Sequence, residues 1–133
     1  MPPKREVLSI ESTDDVVRVR QFVRKWASDL KFSLVDQTKL VTATSELARN
    51  TVQHGGGGTM KAEILENGLR LGIRLTFEDH GPGIQDIELA MRDGYTSGTG
   101  LGLGLSGSKR LVNEFDIKSE AGRGTTVSIA RWR

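Results

Sequence analysis

The chain has 133 residues, a net charge of +2, and 36% hydrophobic against 27% charged residues, which fits one soluble globular domain over residues 1–133 with a single core. No apolar run approaches a membrane span, and Met1-Pro2-Pro3-Lys4-Arg5 has no apolar segment behind it, so neither an anchor nor a secretory signal is expected. Cysteine is absent, which excludes disulfides and thiolate metal sites and accords with a cytoplasmic location; scattered Lys and Arg with 5% aromatics give no nucleic-acid footprint.

Residues 6–10 read as a first strand. Ser12-Thr13-Asp14-Asp15 offers an N-cap with acids in the first turn, and Val16, Val19, Val23, Trp26, Ala27 and Leu30 follow at helical spacing, with Trp26 as a core residue. A second helix is predicted from after Asp36 to about His54, with Leu40, Ala43, Leu47 and Thr51 on one stripe and Gly55 to Gly58 as its stop. Glu46 and Asn50, four apart, project from one face of it; Arg49 beside them makes a plain surface pair with Glu46 the structural alternative.

Residues 59–66 read as a strand, and Asn67-Gly68 is a hairpin signal. In the strand that follows, Leu69, Leu71, Ile73, Leu75 and Phe77 alternate with Arg70, Gly72, Arg74, Thr76 and Glu78. Asp79 continues the apolar parity, so its carboxylate is expected on the core side, where it needs a hydrogen-bond partner. Gly81-Pro82-Gly83 then turns the chain and leaves room for another molecule to approach. An ordinary turn with a capping Asp is the bland alternative. A short helix or turn over 84–91 is followed by a loop in which Gly94, Gly98, Gly100, Gly102, Gly104 and Gly107 cluster. A helix from about Gly104 to Phe115, a strand over 116–121 and a last strand from Thr125 to Trp132 with Val127 and Ile129 inward complete the chain. The order β-α-α-β-β-(α)-loop-α-β-β predicts an α+β fold with helices on one face of a mixed sheet.

Gly102-Leu103-Gly104-Leu105-Ser106-Gly107 is a literal G-x-G-x-x-G, but no strand precedes it, which argues against a dinucleotide fold. With only His54 and His80 and no Cys, a transition-metal site is not expected. A glycine loop running into a helix N-terminus still suits phosphate, through free backbone N–H groups and the helix dipole. Glu46 and Asn50, the buried acceptor Asp79 and this loop together suit a purine nucleotide triphosphate with Mg²⁺, a cation that prefers oxygen ligands.

On these residues the chain resembles the GHKL (Bergerat-fold) ATPases. Ser45-Glu46-Leu47-Ala48-Arg49-Asn50 is similar to their N box and Asp79-His80-Gly81-Pro82-Gly83 to their G1 box. Gly98-Thr99-Gly100-Leu101-Gly102-Leu103-Gly104 is similar to G2, and Gly122-Arg123-Gly124-Thr125 to G3, in the family's order over nearly the whole chain. The resemblance implies a two-layer α/β sandwich with ATP between helices and sheet beneath a glycine-rich lid. It implies that Asn50 holds Mg²⁺, that Glu46 is the candidate general base, and that Asp79 accepts from the adenine amino group. Gly83 would clear the adenine edge, Thr125 would help bind adenine, and Gly100, Gly102 and Gly104 would contact phosphates, with Gly81 and Gly98 also in the nucleotide site.

The resemblance narrows further. No upstream helical pair carries a phosphoacceptor His, so a stand-alone catalytic domain is expected rather than a complete sensor histidine kinase. Residues 45–50, the run Lys109-Arg110-Leu111-Val112-Asn113-Glu114-Phe115 and the ending Ala130-Arg131-Trp132-Arg133 resemble the RsbT type of stressosome switch kinase. That type implies serine/threonine phosphorylation of STAS-domain scaffold and antagonist proteins, followed by activation of a partner phosphatase, with neither nucleic acid nor membrane as partner. Anti-sigma factors of the same fold are the alternative. One departure is that the lid, residues 85–100, holds a single cation, Arg92. Arg49 and Lys109 are the candidates to stand in beside the γ-phosphate.

Overall fold

The strand ending in Asp79 lies at the middle of the sheet in a computed structural model that describes residues 4–92 and 101–133. The elements are β1 (Arg5–Ile10), α1 (Thr13–Asp29), α2 (Leu34–Gln53), β2 (Gly58–Asn67), β3 (Arg70–Asp79), α3 (Ile87–Ala90), α4 (Leu101–Arg110), β4 (Glu114–Glu120) and β5 (Gly124–Trp132). The five strands lie in the order β1-β2-β3-β5-β4. Every pairing is antiparallel, so the expected mixed sheet is corrected to an antiparallel one. The chain order explains this: β2–β3 and β4–β5 are hairpins, and β5 pairs back onto β3 in the antiparallel sense.

The alternation in β3 holds from Ile73 onward; before it Leu71 is half-buried, and Gly72 on the other face is buried beneath Trp132. Ile73, Leu75, Phe77 and Asp79 are buried, while Arg74 and Thr76 are half-buried and Glu78 is exposed. These inward residues join Met60, Ala62, Val127 and Ile129 of neighbouring strands and Val19, Trp26, Leu40 and Leu47 of α1 and α2 in one core. The opposite face of the sheet carries ion pairs such as Lys61–Glu63 and Arg74–Glu114. One buried face and one polar face make an α+β, two-layer arrangement with α1 and α2 on the apolar side. No helix among the described residues is long and apolar enough to cross a membrane.

Several boundaries differ from expectation. Leu69 is 96% exposed and not part of the inward set. Asn67 pairs with Arg70, so the hairpin loop is Gly68-Leu69 and not Asn67-Gly68. Gly68 has φ 63, the glycine-first arrangement of a type II′ turn. In α1 the Ser12 hydroxyl makes no capping bond; Asp15 accepts from the Glu11 N–H at 2.8 Å. In α2 the Ser33 hydroxyl accepts from the Asp36 N–H at 3.1 Å, so this helix starts before Asp36. The helix α4 starts at Leu101, earlier than expected, and ends at Arg110. Phe115 belongs to β4, paired with Ile129, and not to that helix.

Arg131 ties the helical layer to the last strand. Its Nη2 donates to Asp36 Oδ1 at 2.6 Å and its Nη1 to the Leu111 carbonyl at 2.8 Å. The Arg131 guanidinium holds the Asp36 carboxyl below the ordinary carboxylate range. A carboxyl whose pKa is lowered on folding stabilises the fold above its unfolded-state pKa and loses that contribution as the pH falls through the folded value. Stability should therefore decline below about pH 4, and the decline should be shallower in Asp36→Asn. At neutral pH, Arg131→Met should cost about 3 kcal/mol in urea unfolding, because the side chains of the pair are only 14% and 26% exposed and Asp36 is left without its cation.

Candidate functional site

The end of β3, the C-terminal turns of α2, the start of β5 and α4 converge on one cleft. Leu47, Phe77, Ile84, Leu105 and Val127 form its apolar wall, and Asn50, Thr51, His54, Asp79 and Thr125 supply its polar groups. An apolar cleft with a few convergent polar groups is the usual form of a small-molecule site.

Asp79 is 8% exposed. Its Oδ1 accepts from the Gly81 N–H at 3.0 Å and from the Thr125 N–H at 3.3 Å. These two backbone donors meet the cost of placing a carboxylate at the end of an apolar strand face. Among the described residues nothing donates to Oδ2, which leaves one oxygen as an acceptor for a ligand. Two glycines make this packing possible. A Cβ on Gly55 would collide with the Asp79 carboxyl, and a Cβ on Gly124, whose φ is 127, would collide with the Asp79 carbonyl.

Behind the turn, Ser119 organises a small network. Its hydroxyl lies 2.9 Å from that of Thr125 and donates to the Gly124 carbonyl at 3.1 Å. It accepts from the Ile84 N–H at 2.6 Å. Gly83, with φ 77, packs against the Glu120 backbone, and its carbonyl oxygen lies 3.2 Å from His54 Nε2.

On α2, Asn50 faces the cleft, and its Nδ2 is buried with no hydrogen-bond partner. A buried unpaired amide in a folded protein calls for a ligand, an ion or a water. Half a turn about the last side-chain bond presents the carbonyl oxygen at the same point, so the side chain suits a hard cation as well as a phosphate oxygen. Among the described residues no three His, Cys, Asp or Glu side chains gather to hold a metal, so a cation here would draw most of its oxygen ligands from phosphate and water.

The expected site residues thus divide. Asn50, Asp79 and Thr125 line one cleft, and Gly81 and Gly83 shape the turn beside it. Glu46 does not line the cleft; one turn before Asn50, it accepts from Arg49 Nη1 at 3.1 Å in a half-exposed pair. That bond occupies Arg49, one of the two candidate γ-phosphate cations, and Lys109 is exposed near the end of α4. Gly102 and Gly104 lie in the first turn of α4; Gly104 stands where a helix is expected, and Gly102 in a helix and not the expected loop. Gly98 and Gly100 lie outside the described residues.

Ser119, His54 and Gly55 were not singled out in the sequence as site residues. The usable signal for His54 was its spacing, four residues after Asn50 on the same helix face. Gly55 read only as a helix stop, and Ser119 carried no signal before its register opposite Thr125 was known.

A family model described as "Histidine kinase-, DNA gyrase B-, and HSP90-like ATPase" matches residues 35–133. The chain is 43% identical over 118 residues to the serine/threonine-protein kinase RsbT of Bacillus subtilis, an alignment covering 89% of each chain. It is 32% identical over 134 residues to an anti-sigma F factor of Clostridium kluyveri, covering 96% of this chain and 92% of that one. Among solved structures, the RsbU and RsbW domains of a Mycobacterium tuberculosis protein superpose with a TM-score of 0.70 at 21% identity; 99% of this chain is covered but only 34% of the other, and the likeness is one of fold.

Proposed function

Because the chain belongs to the histidine kinase-, DNA gyrase B- and HSP90-like ATPase family, we propose that it is an ATP-dependent protein serine/threonine kinase, acting as one unit over residues 1–133. The observation that carries this is the pairing of an unpartnered Asn50 amide and a backbone-locked Asp79 carboxylate on one apolar cleft, each in a segment similar to a family box. Its similarity to a named serine/threonine kinase supports the substrate class.

In this reading Asp79 Oδ2 accepts from the amino group of adenine, which lies against the apolar wall beside Thr125. The alternative acceptor, Oδ1, is already engaged by backbone. Asn50 would hold Mg²⁺ by its side-chain oxygen, and a bound Mg²⁺ would neutralise charge on the phosphates. The N–H groups at the start of α4, among Gly102 and Gly104, face phosphate as a helix N-terminus does, with Gly98 and Gly100 preceding them. Glu46, released from Arg49, would accept the proton of an incoming Ser or Thr hydroxyl. The partners proposed are STAS-domain scaffold or antagonist proteins as substrates, and a phosphatase that the kinase then activates, in the cytoplasm.

Incubation with labelled ATP, Mg²⁺ and a STAS-domain partner tests the reading: label on a partner Ser or Thr supports it. One observation favours a second reading, an anti-sigma binding protein whose nucleotide serves conformation. The Glu46 carboxylate is engaged by Arg49 and lies outside the cleft lining. Tight partner binding with no transferred label is the outcome that reading expects.

Asp79→Asn should weaken ATP binding by about 1.5–3 kcal/mol, the scale for a hydrogen bond to a charged group. The two backbone donors will hold the amide oxygen at the Oδ1 position. That turns the NH₂ toward the cleft, where it meets the adenine amino donor with a second donor. Calorimetric titration should show this with the melting curve little changed; unchanged affinity would remove Asp79 from the site.

A further inference from the structure

The turn after Asp79 is held from two sides. From the β4–β5 hairpin, Gly122 N–H donates to the Pro82 carbonyl at 2.7 Å and the Ser119 hydroxyl accepts from the Ile84 N–H at 2.6 Å. From α2 comes His54, whose Nε2 lies 3.2 Å from the Gly83 carbonyl oxygen. A carbonyl only accepts, so Nε2 carries the hydrogen. Among the described residues this is the one side-chain hydrogen bond that joins α2 to the turn. Gly83 sits close against the Glu120 carbonyl, where an added Cβ would collide, and its φ is 77.

His54 is also rigidly related to Asn50. Its backbone N–H donates to the Asn50 carbonyl at 2.9 Å at the close of α2, and both side chains line the same cleft. The bond therefore couples the helix bearing Asn50 to the turn that carries Asp79 Oδ1's partner Gly81. A ligand gripped at two ends gains affinity from the second grip only when the spacing between the two matches its own length.

We infer that His54 is a positioning residue whose Nε2–H bond to the Gly83 carbonyl sets the distance between Asn50 and the Asp79 turn, and so the span of nucleoside triphosphate that the cleft engages at both ends. This rests on the nucleotide reading above. The bond does no chemistry on the phosphates and touches neither reacting atom.

The test compares two neutral variants of similar length. His54→Gln places an amide donor where Nε2 stands, and His54→Met places none. With MgATP in titration calorimetry, His54→Gln should bind close to wild type and His54→Met about three- to tenfold more weakly, the worth of one neutral hydrogen bond. Adenosine spans only the base end, so in an NMR shift titration its difference between the two variants, which includes any direct effect of a cleft-lining side chain, should be smaller than the ATP difference. In transfer assays the loss in His54→Met should fall mainly in KM for ATP, and His54→Gln should restore it. Equal ATP affinity in His54→Gln and His54→Met overturns the inference. So does an adenosine loss in His54→Met as large as its ATP loss, the mark of a generally disordered site. A wild-type protein that binds no ATP would overturn the nucleotide reading itself, whereas wild-type binding with equal variants would remove only His54's role.

Discussion

Asn50→Ala is expected to lower phosphoryl transfer by at least about a hundredfold, the scale of losing one preorganised electrostatic contact to a transition state, while leaving the fold as stable as before. The second half of that expectation comes from the buried state of the side chain. Its Nδ2 makes no hydrogen bond, so removing it takes away no intramolecular bond and relieves one desolvated polar group. Most polar-to-alanine changes in a core destabilise; this one should leave the melting temperature unchanged or slightly raised. Initial transfer rates across a Mg²⁺ series, with thermal melts of the same preparations, check both halves. Wild-type rates at limiting Mg²⁺ would show that Asn50 does not hold the cation.

Glu46→Gln is expected to reduce transfer by at least about a hundredfold, the low end of the range for general-base assistance, with ATP affinity near normal. The structure makes this a sharper contest than the helix pattern did. Glu46 is bonded to Arg49, with side chains 38% and 47% exposed, so the pair contributes at most a few tenths of a kcal/mol once solvent screening is allowed for, about what exposed pairs measure. Loss of the pair therefore cannot imitate a hundredfold loss of transfer. For the carboxylate to serve as base it must leave Arg49, and the departing Arg49 would then be free to face the γ-phosphate. Transfer within a few-fold of wild type would reduce Glu46 to the surface partner of Arg49, and the kinase reading would rest on positioning and charge alone.

The inward set of β3 is legible because period-two burial is local: from Ile73 to Asp79 the pattern names the core face with no knowledge of neighbours. It failed at Leu69, where the loop began one residue later than Asn67-Gly68 suggested. The helix α4 was misjudged at its start for an intrinsic reason. It contains Gly102, Gly104 and Gly107, each about 1 kcal/mol worse than Ala in a helix, while Leu105, Ser106 and Ser108 are buried against the rest of the fold, a tertiary contribution that local spacing does not report. Phe115 fits the helical spacing because an apolar residue three or four positions on suits a helix and a strand alike.

By itself, then, the sequence determined the element order, the core faces of α1, α2 and β3, the inward carboxylate of Asp79 and the four segments, three of them glycine-bearing, that resemble an ATPase. Each of these is carried by spacing within one element or by residue type at one place. The tertiary structure alone decided what Asp79 is bonded to, since Thr125 lies 46 residues away and reaches it only through the β3–β5 register. It alone decided that His54 ties α2 to Gly83, 29 residues on, and that Ser119 stands under both Ile84 and Thr125. It also decided that Glu46, though one turn from Asn50, is turned to Arg49 and away from the cleft lining. Periodicity reports which side of an element a residue occupies; which group it meets there depends on how separate elements close on one another, and that closure is set by the packing of the whole core.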